Sequence, residues 1–368
     1  MAAKAQEPRY RSIEDFLKDI KPWEYDFKYQ YENFDADLYW NLDEDDDKPL
    51  VRLLKYKKEL RNGDNFINSR IAFDCDGTGE TEEYVCGLTR EIYRTLWDWQ
   101  DEYCPPKKTK KTGKTKVKRY GNIGTKGWLA GPDTMNSFFT VFDNYLEKLR
   151  GKKYSVKTLY NQLVVPHGKM KTVFGDLVSD KKVRDKWEEY AKLHHCVGNF
   201  ILVPAGFNTV RSNQFDDFWD LSLFYLKQEA GNSWLNRDNI FTKYINYFFL
   251  WDYVMLDGSQ YQVRSLRKGD FMKDGGEIIN GNEKLSLTVD EMDEKNETRQ
   301  FLANAMWAIK RRGIFMTAML RIENALGAVK YAELREKVFV KDDPYSGYGE
   351  IKKALEDAIS AAQIEEEK

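Results

Sequence analysis

The stretch HHCVGNFILVPAGFNTVRSNQF, residues 194–215, holds two of the three histidines of the chain and decides how the middle of the sequence is read. The preceding DKKVRDKWEEYAKL (180–193) has the spacing of an amphipathic helix, and FDDFWDLSLFYLKQ (215–228) has it again. Between them Val197–Val203, which ends in the apolar run Phe200–Val203, reads as a buried strand. Gly198 suits a close backbone approach, Gly206 and Asn208 suit a turn, and Asn213 suits the N-cap of the second helix. His194 and His195 stand where a cationic side chain favours a helix C-terminus. One strand framed by two helices points to a predominantly helical α+β protein with a small antiparallel sheet.

The bulk properties agree with a globular chain. With 368 residues, two compact units or one elaborated unit are expected. Lys and Arg number 58 against 60 Asp and Glu, so no whole-molecule field attracts a polyanion and any such contact must be local. The aromatic content of 14% supplies rings for a large core. The start MAAKAQEPRYRSIEDFL lacks an apolar region, and IFTKYINYFFLWDYVML (240–256) is broken by Lys243 and Asp252. A cytoplasmic protein that does not enter membranes is the expectation. Cys75, Cys86, Cys104 and Cys196 have neither disulfide nor zinc-ribbon spacing and read as reduced thiols.

Along the chain, SIEDFLKDI reads as a helix capped by Ser12, and TEEYVCGLTREIYRTLWDWQDEY (81–103) as another, ended by Pro105-Pro106. PDTMNSFFTVFDNYLEKLRG (132–151) carries Met135, Phe138, Phe139, Phe142, Leu146 and Leu149 on one helical face. A further strand is expected near Leu163–Val165. Helices are expected over 236–256 and 297–326, with Gly313 bending or dividing the second. The division expected is an N-terminal α+β region (1–104), a basic loop (105–131), a mainly helical core (132–335) and a polar C-terminal helix (336–368).

Two motifs invite a chemical reading. IAFDCDGTGET (71–81) resembles the first motif of the haloacid-dehalogenase phosphatases, which implies Asp74 as nucleophile and Asp76 as acid/base. That family also needs a strand ending in Thr or Ser, which GIFMT (313–317) imitates, and a later Lys and acidic pair, which KDD (341–343) imitates. The alternative is an Asp-Gly turn before a helix.

The second motif is G-N-F-x-x-V-P at 198–204, with Asn208, Ser212-Asn213 and Phe215 downstream and Trp187 upstream. Over 163–227 this resembles the His-Me finger (HNH) nuclease domain of type IV modification-dependent restriction enzymes. The resemblance implies a diverged ββα hairpin, an Mg²⁺ or Mn²⁺ cofactor and a bacterial restriction or phage-defence setting. It also implies His167 as general base and Asn199, Asn208 and Asn213 as catalytic companions; a metal would draw on His194 or His195 and on a carboxylate from Asp176 or Asp216. The position before the base, an acid in that family, is Pro166 here. The same G-N-F-x-x-V-P form, the FFLWDYV segment (248–254) and the late Arg311-Arg312-Gly313 also look similar to an uncharacterised bacterial family that brings no activity with it.

Residues 107–119, KKTKKTGKTKVKR, contain seven Lys, one Arg and no acid. Lys107, Lys108, Lys110, Lys111, Lys114, Lys116, Lys118 and Arg119 could neutralise phosphates, and Lys126 with Trp128 could add a phosphate contact and a stacking ring. The composition reads as a flexible loop. Its partner is DNA or RNA, or an acidic protein. Two functions follow: a nucleic-acid-directed enzyme of the His-Me finger kind, or a non-catalytic binding or assembly protein on the same scaffold.

Overall fold

The computed structural model describes residues 10, 12–25, 27, 87–97, 107–108, 115–116, 129–138, 141–142, 144–145, 181–204, 218–229, 240–257, 260–273, 275–279, 294–331 and 333. Its described elements are mostly helical, with short antiparallel strand pairs, as the α+β reading expects.

The organising element is the helix Glu294–Leu326, which at 33 residues is roughly 50 Å long. Between Phe301 and Leu320 its buried residues, among them Leu302, Ala305, Ile309, Phe315, Met316 and Met319, lie on more than one face. A helix apolar on several faces is one that neighbours enclose. Of the two effects expected of Gly313, bending or dividing, division does not occur, since the helix runs through it unbroken. The residue serves a close approach instead: a Cβ there would sit 2.8 Å from Trp23 Cβ. Gly198 meets the same helix from another side, where a Cβ would lie 2.0 Å from the Ile309 carbonyl oxygen and 2.8 Å from Gly313 N.

Around this axis stand α1 (Ile13–Leu17), α2 (Gly87–Trp97), α3 (Lys181–Leu193), α4 (Trp219–Glu229) and α5 (Ile240–Tyr247), and the long helix is α6. Ser12 caps α1 by accepting from Asp15 N at 3.2 Å. Trp97 Nε1 donates to the Tyr247 carbonyl at 2.6 Å and Tyr247 Oη returns a bond to the Trp97 carbonyl at 2.8 Å, tying α2 to α5. Lys310 spans from Glu24 to Glu189, at 3.5 and 2.9 Å, which joins α6 to the N-terminal segment and to α3. The described parts of 1–104 therefore share one buried cluster with those of 132–335.

The strands depart from expectation in three places. First, the apolar run begins as a 3₁₀ turn, Val197–Asn199, and only Phe200–Pro204 is extended. That strand, β4, pairs antiparallel with β3 (Leu129–Thr134), from Leu129 opposite Pro204 to Thr134 opposite Phe200. Residues 132–134 are thus strand, not helix, and helical backbone starts at Phe138 among the described positions. The Leu163–Val165 segment lies outside the described residues. Second, the basic stretch contains an antiparallel pair, β1 (Lys107–Lys108) with β2 (Thr115–Lys116), where a loop was expected.

Third, the helix expected over 236–256 stops at Tyr247. Leu250 N donates to the Ile245 carbonyl at 2.9 Å and Phe249 N to the Asn246 carbonyl at 3.3 Å, a Schellman closure with Phe249 at φ +58°. Glycine normally takes that position; Phe249 bears a cost of about 1–2 kcal/mol and buries its ring beside Trp97 and Trp251. A 3₁₀ turn (Trp251–Tyr253) then leads into β5 (Val254–Asp257), paired antiparallel with β6 (Gln260–Val263).

Gly198→Ala is expected to destabilise the protein by about 3 kcal/mol or more, because the added methyl meets backbone that cannot swing aside. Gly275→Ala, at φ +82° with open space around it, should cost only about 1 kcal/mol. Urea denaturation followed by circular dichroism measures both, and equal losses would show that the Gly198 contact is not tight.

Candidate functional site

Where the GNF turn meets β3 and α3, the polar groups are spent on one another. Asn199 is fully buried. Its Oδ1 accepts from Asn136 N at 3.0 Å, and its Nδ2 donates to the Asn136 carbonyl at 3.1 Å and the His194 carbonyl at 2.8 Å. Its own carbonyl accepts from Met135 N at 2.6 Å. The Asn199 side chain thus acts as a peptide-like clip between the end of β3 and the end of α3. Asn136, also buried, extends the clip by accepting from Trp219 N at 3.4 Å at the start of α4. Trp219 Nε1 donates to the Thr134 carbonyl at 2.6 Å.

The histidines sit inside the same knot. His194 Nδ1 accepts from Phe138 N at 3.0 Å, which requires a ring without a proton on that nitrogen. His195 is fully buried, its ring edge-on to His194 at 4.2 Å between centroids and 6.2 Å from Phe200. Its carbonyl accepts from Phe27 N at 3.0 Å, anchoring the N-terminal segment. Both rings follow the end of α3, as expected, and both are buried there.

Behind the turn lies Arg312, fully buried on α6. Its Nε donates to the Phe248 carbonyl at 2.7 Å and its Nη1 to the carbonyls of Gly198, at 2.9 Å, and Phe200. Burial pushes its pKa down to about 10, against the opposing influence of the nearby Tyr93, Tyr253 and Tyr244 hydroxyls. Burial likewise holds the Tyr253 hydroxyl far above the usual tyrosine range. Asp252 is different: its Oδ2 accepts from Arg311 Nε at 2.9 Å, yet burial outweighs that attraction and raises its pKa.

Of the residues singled out in the sequence, the structure brings together Asn199, His194 and His195. His167, Asn208, Asn213 and Asp216 lie outside the described residues. So do Lys110, Lys111, Lys114, Lys118, Arg119, Lys126 and Trp128. Lys107, Lys108 and Lys116 are placed by backbone pairing, with Lys107 directly opposite Lys116 and Lys108 opposite Thr115. Asn136 and Arg312 were missed as partners of the GNF turn; Arg312 was visible only as part of the Arg-Arg-Gly triplet.

The His195 ring faces the rings of His194 and Phe200, and Asp216, the carboxylate expected with it, lies outside the described residues. Among the described residues no group of three or more His, Cys, Asp or Glu is arranged to hold a metal. The phosphatase motif fares no better: Asp74 and Asp76 lie outside the described residues, and GIFMT, which should be a strand, is mid-helix in α6. There the Thr317 hydroxyl donates to the Ile314 carbonyl at 3.0 Å.

Comparison with known proteins gives no family model, no curated protein and no solved structure that matches this chain. Among the described residues no helix is long and apolar enough to cross a membrane.

Asn199→Ala removes three hydrogen bonds from a dry site and strands two carbonyls and an amide, so a loss of about 2–4 kcal/mol is expected. Asn199→Asp should do no better, since a carboxylate would face the Asn136 and His194 carbonyls. Chemical denaturation of both variants decides this, and wild-type stability in either would show that Asn199 is not the clip described.

Proposed function

We propose that the protein binds nucleic acid through the basic stretch 107–119 and that the GNF turn is its frame, not a reaction centre. The observation that carries this reading is the antiparallel pairing of Lys107–Lys108 with Thr115–Lys116 in an acid-free segment. Its seven lysines and one arginine supply in sequence the local positive charge that a chain of net charge −2 needs in order to hold a polyanion. The frame reading is supported by the complete internal use of the Asn199 amide and by the enclosure of His195, neither of which faces solvent.

The catalytic alternative keeps one observation in its favour: β4 is a strand of an antiparallel pair directly after the G-N-F motif, as the His-Me finger resemblance implies. Its general base would be His167. A bacterial cytoplasm, restriction and phage defence come from that resemblance and enter here as part of this second reading. An acidic protein partner is the remaining competitor for the lysines.

Binding to a labelled nucleic acid, followed by fluorescence anisotropy at several salt concentrations, tests the first reading. Affinity should fall linearly in log–log form, and Lys116→Ala should lower the slope by roughly one unit if that lysine holds a phosphate. Binding that ignores salt, or none at all, would remove the proposal. Cutting that requires Mg²⁺ or Mn²⁺ and vanishes in His167→Ala would replace it with the nuclease.

A further inference from the structure

Independently of the nucleic-acid reading, we infer that Arg312 holds a small monovalent anion of the halide class inside the core, with the Tyr253 hydroxyl as its second donor. A fully buried arginine is ordinarily matched by a carboxylate. Arg312 is fully buried, yet the side chains whose proximity favours its charge are Tyr93, Tyr253, Tyr244 and Cys196, none of them a carboxylate. Asp252, the buried acid beside Tyr253, is already matched by Arg311 and Arg264. One positive charge in the core is therefore left without a counter-charge among the described residues.

The hydrogen bonds leave donors over at the same place. Nε and Nη1 of Arg312 are spent on the carbonyls of Phe248, Gly198 and Phe200. Nη2 is buried and has no partner, an arrangement that is rare and costly for a charged donor. Tyr253 is fully buried as well; its oxygen accepts from Asn136 Nδ2 at 3.5 Å, and its proton has no acceptor among the described residues. Tyr244, by contrast, spends its proton on the Leu202 carbonyl at 3.0 Å. Both surplus donors belong to groups that hold the GNF turn, Arg312 through the Gly198 carbonyl and Tyr253 through Asn136, which Asn199 clips. Donors without acceptors exclude a cation. Water would take the hydrogen bonds and leave the charge unmatched. A dianion such as sulfate would bring two charges to one guanidinium and more acceptor oxygens than two groups can satisfy. A single-atom ion of charge −1 matches both the charge and the donors.

The test is thermal unfolding of the full chain at constant ionic strength, with gluconate, too bulky for a site inside the core, exchanged stepwise for chloride or bromide. An ion held by the folded state alone raises Tm with the logarithm of its concentration, by about 2–5 °C over a hundredfold span above Kd. Wild type should show that rise with both halides, and its ³⁵Cl resonance should broaden on adding protein and sharpen on adding bromide. Tyr253→Phe keeps the ring and removes the second donor, so it should fold and lose most of the halide dependence. Arg312→Met, if it folds, should melt alike in chloride and gluconate; if it does not, Tyr253→Phe decides alone. Equal melting of wild type in chloride and gluconate overturns the inference and leaves water on Nη2. A halide dependence that Tyr253→Phe keeps in full also overturns it, since the ion would then lie elsewhere.

Discussion

One guanidinium holds three segments that are far apart in the chain. Arg312 reaches the carbonyls of Gly198 and Phe200 on one side and Phe248 on the other, from the middle of a helix that has no room to move. Burying such a charge costs several kcal/mol, and each charge-assisted bond returns about 1.5–3 kcal/mol, so three acceptors bring the balance near zero. The arginine therefore adds little net stability and fixes arrangement instead. The 3₁₀ turn, the first residue of β4 and the end of α5 can satisfy it together only in one mutual placement. Gly198 and Gly313 are the steric half of the same constraint, since the guanidinium reaches the turn only if the backbones nearly touch.

Three motifs that the sequence offered as separate marks, G-N-F, FFLWDYV and Arg-Arg-Gly, are thus one physical object. Phe248 gives its carbonyl to Arg312, and Asp252 pairs with Arg311 one position earlier on the helix. Gly198 leans on Gly313. The chemistry of the junction is that of a fastening: amide to amide through Asn199 and Asn136, guanidinium to carbonyl through Arg312. The Asn199 amide and the Arg312 Nε and Nη1 all aim at backbone.

Much of the helical frame was legible because it obeys local rules. Helix α3 began within one residue of expectation, and Ser12 caps α1 as its position suggests. The failures have identifiable causes. The helix over 236–256 was drawn too long because its end carries neither Gly nor Pro; Phe249 accepts a left-handed backbone there in exchange for aromatic packing. That overlong helix covered Val254–Leu256 of β5, although Asp257-Gly258 between VML and YQV is a hairpin signal. Residues 132–134 followed the apolar period of the helix after them, whereas pairing with β4, more than sixty residues away, holds them extended. That pairing is a tertiary fact no window of sequence contains.

The candidate contact surface was legible in a different sense. Composition alone marks 107–119 as cationic, but composition cannot tell a solvated loop from a ribbon, and the difference governs what the lysines can do. In a loop each lysine retreats from the others, and a bound polyanion must offset the entropy of gathering them. In a ladder the backbone sets Lys107 opposite Lys116. The buried frame is a different case, since Arg312 spends its charge on the protein's own carbonyls.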